Sequence, residues 1–369
     1  MPKHHVLEPS MLERRGANLE RPLLVRCGAF GDMVLLTALI RPLHARFSSP
    51  VDIVTSGPWS EPLLRGQPGV GEIWTLRSRK TPYWVSLDQR RVVRQLKARG
   101  AGPTWFCDGN DAAWPLLRRA GIAAPFVVAA KDHRLRPGEH ATEQWRRLAQ
   151  ILPAAFRDAN LPRLDMAAIA PGCHLEVSAA QRSDLQHWLR ERGLATEPLI
   201  LIQVGNKRTM RRGLRRLAVN SKYWPNERWA EVLRFLRRRH PDHSIVMLGT
   251  GPEYTLNAEV AALAATQRLY NAADDLPVPR LIALLERSDG LISVDSGPAH
   301  AAAAVGCPQV VLFGKALPSL YRPWGSAGAD VKVLQGEIDG LPNMLGIATE
   351  AVMAAWSDLA LRSVSGRSS

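Results

Sequence analysis

Two short segments of the 369-residue chain combine residue types that can do chemistry. In Val294-Asp295-Ser296-Gly297-Pro298-Ala299-His300, a strand-like run enters a loop of small residues and then a helix. Such a turn leaves several backbone N–H groups pointing outward together, and that geometry binds phosphate. Pro298 suits the first helical turn, where its missing donor is harmless, and Gly297 lets a ligand approach the backbone. The same pattern also fits an ordinary helix start, with Asp295 or Ser296 as the cap and His300 packed in the core. The second segment is Gly31-Asp32, just past the apolar run Leu23-Leu24-Val25-Arg26. Asp32 reads either as a helix cap or as a general base.

Cations crowd a third stretch: Lys207, Arg208, Arg211, Arg212, Arg215 and Arg216, with Lys222 following just before Tyr223-Trp224-Pro225. A solvated basic loop accounts for most of these arginines. Lys222 precedes a proline-initiated helix, where an ammonium can meet a diphosphate. The common nucleotide fingerprints are missing. Gly28-x-x-Gly31 lacks the dinucleotide-fold spacing and no GxxxxGK[ST] occurs, so a dehydrogenase and a P-loop enzyme both lose their main support. There is no Asp-x-Asp pair, the simplest carboxylate site for a metal-bound diphosphate. The chain is therefore expected to need no metal and no cofactor, with leaving-group charge met by cations and helix dipoles.

The elements that must position these residues alternate. Leu23–Arg26, Val51–Val54 and Glu72–Leu76 read as strands, with a helical spacing of apolar residues from Asp32 to Phe47. After a mixed stretch from Ala167 to Pro198 the alternation resumes. Leu199–Ile202, Ser244–Leu248, Leu291–Val294 and Gln309–Phe313 are strands; Asn226–Arg239, Glu253–Thr266, Val278–Arg287 and His300–Val305 are helices. This is parallel α/β structure in two doubly wound halves facing a central cleft, with ligands expected at the strand carboxyl ends. The expected divisions are a loose arm over 1–20, a first domain over 21–178, a second over 196–345, and a terminal helix and tail over 346–369.

Composition narrows the partners. Lys and Arg number 48 against 34 Asp and Glu, a formal charge of +14, which implies an anionic partner: nucleic acid, an acidic membrane face or a phosphorylated substrate. No nucleic-acid motif appears, and the basic residues do not interleave with aromatics. Charges through the first twenty residues leave no room for a secretory signal. The apolar stretch Met33–Ile40 falls far short of the roughly 20 residues that cross a bilayer. Cys27, Cys107, Cys173 and Cys307 form no CxxC pair and read as small buried hydrophobes in a reducing cytoplasm.

Several stretches, in order, resemble the heptosyltransferase family, inverting transferases that build the inner core of bacterial lipopolysaccharide from ADP-heptose. They are Leu24-Val25-Arg26 with Gly31-Asp32-Met33-Val34-Leu35-Leu36-Thr37; Lys222-Tyr223-Trp224-Pro225-Asn226-Glu227-Arg228-Trp229-Ala230; Leu248-Gly249-Thr250-Gly251-Pro252-Glu253; Ser293 to His300; Val311-Leu312-Phe313-Gly314; and Pro323-Trp324-Gly325. The resemblance covers about residues 22 to 326 and implies the GT-B arrangement, with acceptor in the first domain and nucleotide sugar in the second. It implies that Asp32 deprotonates the acceptor and that Lys222 neutralises the diphosphate. The Ser296-Gly297 backbone, with Pro298 and His300, would cradle the donor; Asp295 would contact the sugar, Glu253 the ribose and Leu276 the base. Gly205 would also face the donor, and Gly31, Arg208, Arg211 and Arg212 the acceptor or a phosphate. Departures cluster around the same site: Cys27-Gly28-Ala29-Phe30 stands where family members commonly carry serines, Gln203-Val204-Gly205 replaces a His-Pro-Gly, and Lys315-Ala316-Leu317 replaces a Pro-Thr-Asp. The function so implied is sugar transfer, from a nucleotide-sugar donor to an anionic glycolipid at the inner face of the cytoplasmic membrane. A nucleotide-sugar epimerase or hydrolase of the same fold and a basic nucleic-acid-binding protein are the alternatives.

Overall fold

The computed structural model describes residues 21–159, 161–206 and 222–362. The chain divides into two compact units, Met1–Pro171 and Gly172–Ser369. The helix Ala179–Glu191, which the sequence leaves between two domains, groups with the second unit. The expected arm over 1–20 lies outside the described residues, as do Arg208, Arg211, Arg212 and the rest of the basic stretch.

In the first unit, β1 (Leu23–Val25), β2 (Val51–Ser56), β3 (Val70–Leu76), β4 (Thr104–Phe106) and β5 (Val127–Ala129) form one parallel sheet in the order β3-β2-β1-β4-β5. β1 is buried along its whole length, as expected of a parallel strand covered on both faces. The helical pattern read from Asp32 to Phe47 is two helices, Phe30–Leu35 and Thr37–Phe47. Thr37 Oγ1 donates to the Val34 carbonyl at 2.7 Å, a local bond that competes with the helical ladder at the break.

The second unit carries β6 (Leu199–Gln203), β7 (Ser244–Met247), β8 (Leu269–Asn271), β9 (Gly290–Val294), β10 (Gln309–Phe313) and β11 (Val331–Gln335). They form a parallel sheet in the order β11-β10-β9-β6-β7-β8. The helix Asn226–Arg239 turns Trp229, Val232, Leu233 and Leu236 inward at helical spacing, each fully buried. Burying side chains of this size contributes roughly 1.5–3 kcal/mol each. Trp229 meets Trp224 edge-on, with ring centroids 5.0 Å apart, so the residues next to Lys222 are anchored in the core. Gly325, of the Pro-Trp-Gly segment, lies so close to the helix Gly297–Ala304 that a Cβ would fall 1.7 Å from the Ala303 carbonyl oxygen. Only glycine permits that approach.

Strand order in both sheets reverses once, between β1 and β4 in the first unit and between β6 and β9 in the second. In an open parallel sheet the loops at the carboxyl ends of those two strands diverge and leave a crevice for a ligand. The fold therefore nominates, before any side chain is considered, residues 26–29 with 107–108, and residues 203–206 with 295–297.

Candidate active site

At the first reversal point Asp32 serves as a cap and keeps access to solvent. Its Oδ2 accepts from the Ala29 amide at 2.8 Å, closing the first turn of the helix Phe30–Leu35, and Oδ1 accepts from Arg26 Nη2 at 2.9 Å. The side chain remains 38% exposed. The structure shows the cap, and the turn fixes the carboxylate without enclosing it, a geometry compatible with the general-base reading. Gly28 makes room for it, since a Cβ there would lie 2.6 Å from Asp32 Cβ. Gly31, half-buried, sits in the same helical turn.

Arg26 is itself held. Its Nη1 donates to the Cys107 carbonyl at 2.6 Å, and its guanidinium lies 5.8 Å from the centroid of the Trp145 ring. Beside it, Asp108 is buried and accepts from the Cys27 amide at 2.8 Å and from Arg79 at 3.1 Å, joining the ends of β1 and β4. Burial pushes the Cys27 and Cys107 thiols up to about 12, so neither supplies a thiolate at neutral pH. All four cysteines are buried and unpaired with one another.

At the second reversal point the loop after β9 gathers the remaining candidates. Lys222 Nζ lies 2.5 Å from Asp295 Oδ2 and donates to the Asp295 carbonyl at 2.9 Å. The Asp295 side chain is 8% exposed and the Lys222 side chain 23%. Ser296 is the N-cap residue of the helix Gly297–Ala304, with Pro298 in the first turn, yet its side chain makes no capping bond. Its hydroxyl pairs instead with Ser293 Oγ at 3.0 Å. The amides of that turn thus lack a side-chain cap, and an ammonium stands beside them, which together suit an anion. His300 lies on the same helix and is buried.

One strand over, Gln203 Nε2 donates to the Gly205 carbonyl at 2.8 Å and to Glu253 Oε1 at 3.2 Å. Gln203 Oε1 is buried without a hydrogen-bond partner among the described residues. Glu253 Oε2 accepts from the Thr250 amide and hydroxyl, at 2.9 and 2.7 Å. Burial raises its pKa, while the Thr250 and Gln203 hydrogen bonds oppose the shift. The expectation that Glu253 reaches a ribose therefore meets a carboxylate that is 3% exposed and turned into its own loop. Leu276 is half-buried, two residues ahead of the helix Val278–Arg287. The carboxyl ends of four adjacent strands, β9, β6, β7 and β8, thus carry every described donor-side candidate.

Sequence reasoning missed the groups that do the positioning. Arg26 ends the apolar run Leu23-Leu24-Val25 with no signal of its role, and Cys107, Asp108 and Trp145 arrive from distant positions with no local signal. Gln203 had a faint one, a polar residue closing the otherwise apolar run Leu199–Ile202. Among the described residues, His, Cys, Asp and Glu side chains form no group of three or more suited to a metal ion, and no helix is long and apolar enough to cross a membrane.

The family model for glycosyltransferase family 9 (heptosyltransferase) matches residues 119–337. Lipopolysaccharide heptosyltransferase 2 of Salmonella typhimurium is 22% identical over 326 residues, 83% of this chain and 86% of that protein. Lipopolysaccharide heptosyltransferase 3 of Escherichia coli is 34% identical over 108 residues, 28% of this chain and 31% of that one. Among solved structures, the glycosyl transferase family 9 protein from Veillonella parvula aligns with a TM-score of 0.73 at 20% identity, covering 92% of this chain and 96% of that chain. The Escherichia coli ADP-heptose lps heptosyltransferase II aligns with a TM-score of 0.68 at 20% identity, over 91% and 97%. At these identities the structural likeness establishes the GT-B fold.

Proposed function

From the premise that this chain belongs to glycosyltransferase family 9, the heptosyltransferases, and is therefore a glycosyltransferase, we propose that it moves heptose from ADP-heptose to a core-type lipopolysaccharide acceptor, with inversion at the anomeric carbon. The observation that carries this reading is the binding of Lys222 to Asp295, next in sequence to the uncapped helix start at Ser296-Gly297, beside the reversal point of the second sheet. In the proposed reaction the acceptor hydroxyl gives its proton to Asp32 Oδ and its oxygen attacks the anomeric carbon. The bond from that carbon to the diphosphate oxygen breaks, and ADP leaves with the electron pair. Lys222 and the amides after Ser296 meet the growing charge on the diphosphate, without a metal, as preorganised donors do. Gly31 lies on the acceptor side; Gly205, Pro298 and His300 shape the donor side.

Asp295 and Glu253 take altered parts in this scheme. With its carboxylate bound to Lys222, Asp295 sets the height of the ammonium over the loop and meets the sugar only at its edge. Glu253 holds the Thr250 turn on the nucleotide side, and Leu276 lines the base. The names of the relatives support lipopolysaccharide biosynthesis as the setting; the surplus of cationic residues is what suits a place at an anionic membrane face. The test is thermal stabilisation across ADP, UDP, GDP and their sugars, followed by turnover of ADP-heptose with and without a lipopolysaccharide acceptor. A ligand bound only by the native state raises the melting temperature in proportion to the logarithm of its concentration over Kd. Stabilisation by ADP and ADP-heptose, with ADP release dependent on the acceptor, is the expected result. Release of free heptose at full rate without acceptor would make the chain a hydrolase instead.

A further inference from the structure

We propose that the segment from Arg77 to Lys97 of the first unit is a membrane-docking surface, in which Trp84, Val85 and Leu87 enter the headgroup region of an anionic bilayer and the exposed face of the following helix lies on it. Trp84 is 75% exposed and Leu87 74%, with Val85 at 47% between them. These side chains are not loose ends of an unformed loop. Gln89, buried, donates from Nε2 to the carbonyls of Ser78 and Thr81 at 2.9 and 2.8 Å. Ser78 Oγ accepts from the Lys80 and Thr81 amides, and Asp88 accepts from the Arg77 amide and the Ser86 hydroxyl. Next to Trp84, the Tyr83 ring is covered by the Arg119 guanidinium at 4.6 Å. The turn is therefore built, and it tucks one aromatic in while holding its neighbour out.

The helix Leu87–Arg99 supplies the charge. It buries Gln89, Val92, Val93 and Leu96, and the opposite face, at three- and four-residue spacing, presents Leu87, Arg90, Arg91 and Arg94 to solvent. Between residues 77 and 97 the sequence carries seven cationic side chains and a single carboxylate, Asp88, which is engaged within the turn; Arg79 is bound to Asp108, which leaves six. An apolar tip continuous with a row of arginines is the pattern of interfacial anchoring: tryptophan favours the headgroup level, and basic side chains lie over anionic lipid. A nucleic acid would use the arginines and could stack on Trp84, but it offers no phase for Val85 and Leu87, which have no aromatic face. This deepens the proposed function, because it names the surface that would bring the enzyme to a lipid-borne acceptor, and it rests on that reading for its purpose alone.

The test uses the full chain and sedimentation with two kinds of vesicle, pure phosphatidylcholine and phosphatidylcholine with one-quarter phosphatidylglycerol. Wild type is expected to partition onto the anionic vesicles and only weakly onto the neutral ones. Trp84→Ser/Leu87→Ser should lower partition about tenfold at any salt concentration, since it removes apolar insertion. Arg90→Gln/Arg91→Gln/Arg94→Gln should lower it about a hundredfold at low salt, from roughly fivefold per arginine, with the loss shrinking as salt rises. All five side chains are exposed, so both variants should melt with the wild type. Both should also turn over ADP-heptose at the wild-type rate with a delipidated, water-soluble acceptor, which keeps this test apart from that of the activity. Wild-type partition in both variants would overturn the assignment, as would binding to random duplex DNA with none to vesicles. An enzyme inactive toward ADP-heptose that still docks through these residues would refute the function and leave the surface standing.

Discussion

Replacing Lys222 by Met separates what the Lys222–Asp295 pair does for the fold from what it does for the reaction. The Asp295 side chain is 8% exposed, and its Oδ2 lies 2.5 Å from the ammonium. Removing the cation leaves a carboxylate that water reaches poorly, and breaking a buried pair from one side destabilises by about 3–5 kcal/mol. Lys222 is 23% exposed, so the lower end applies, about 3 kcal/mol. For a unit of this size that corresponds to roughly 6–12 °C in melting temperature, at about 2–4 °C per kcal/mol. Lys222→Met/Asp295→Asn removes the orphaned charge with it and should recover most of that loss. Turnover should behave differently. If the ammonium meets diphosphate charge in the transition state, both variants lose about 10² to 10³ in kcat, the magnitude of one lost electrostatic donor. Calorimetry gives the first quantity and ADP release at saturating donor the second. Recovery of turnover together with stability in the double variant would refute the catalytic assignment and leave Lys222 as a support for Asp295. No loss of stability in the single variant would refute the electrostatic account of the pair.

Asp32→Asn should lower kcat by about 10² to 10⁴, the range for a lost general base, with ADP affinity unchanged by titration calorimetry; full turnover would remove Asp32 from the mechanism. Arg26→Lys keeps the charge but loses the two-point hold between Asp32 and the Cys107 carbonyl. It should lower kcat by on the order of tenfold to a hundredfold with donor KM and melting temperature unchanged, whereas the same loss with a lowered melting temperature would indicate a folding defect, and an unchanged kcat would remove Arg26 from the mechanism. Glu253 has its carboxyl pKa raised by burial, so the stability that its protonated form supplies is complete below the ordinary carboxylate range and declines as pH rises through the raised value. Glu253→Gln should remove that decline, and urea unfolding curves at pH 4.5 and 7.5 with the same pH slope as wild type would contradict it. His240 is lowered from 6.5 to about 4, by burial first and then by His243 and Arg239, and its Nε2 accepts from Trp356 Nε1 at 3.0 Å. Its contribution is present above pH 6.5 and is lost as pH falls toward 4, about 1–2 kcal/mol after discounting for partial exposure. His240→Gln should therefore close its stability gap to wild type across that interval, which pH-stepped urea melts would detect.

What the sequence displayed and what it hid divide by range. The helices Asn226–Arg239 and Val278–Arg287 agree residue for residue with their apolar spacing, because each is long enough for its period to repeat, and the strand Gln309–Phe313 agrees with a continuous apolar run. β4, β5 and β8, each three residues long, carry no period at all and exist through their neighbours' hydrogen bonds. The same division runs through the site. The Asp295 to His300 segment and Asp32 were visible because turn chemistry is local. The pairings were not: Lys222, itself visible as a cation, meets a residue 73 positions away, and Arg26 docks on a carbonyl 81 positions away. Such pairings follow from strand order, which a single chain does not spell out.

The two candidate carboxylates share a design and differ in one respect that bears on the roles proposed for them. Each stands just beyond a strand at a sheet's reversal point, and each is bound by one cation, Arg26 for Asp32 and Lys222 for Asp295. Access separates them. Asp32 retains 38% of its side-chain surface against 8% for Asp295. A base must come within about 3 Å of the hydroxyl it deprotonates, which an enclosed carboxylate cannot do without opening its loop. Asp295 is enclosed by an ammonium whose own surface is still partly open, so what its loop offers an incoming anion is positive: the Lys222 ammonium and the amides after Ser296. In Asp32 the order is inverted, with the cation behind, packed near Trp145 and tied to Cys107, and the carboxylate in front. Under the proposed reaction, then, one unit supplies the proton acceptor and the other the cradle for negative charge. Exchanging the exposures, by enclosing Asp32 or opening Asp295, would remove that division of labour even with every residue of both motifs intact.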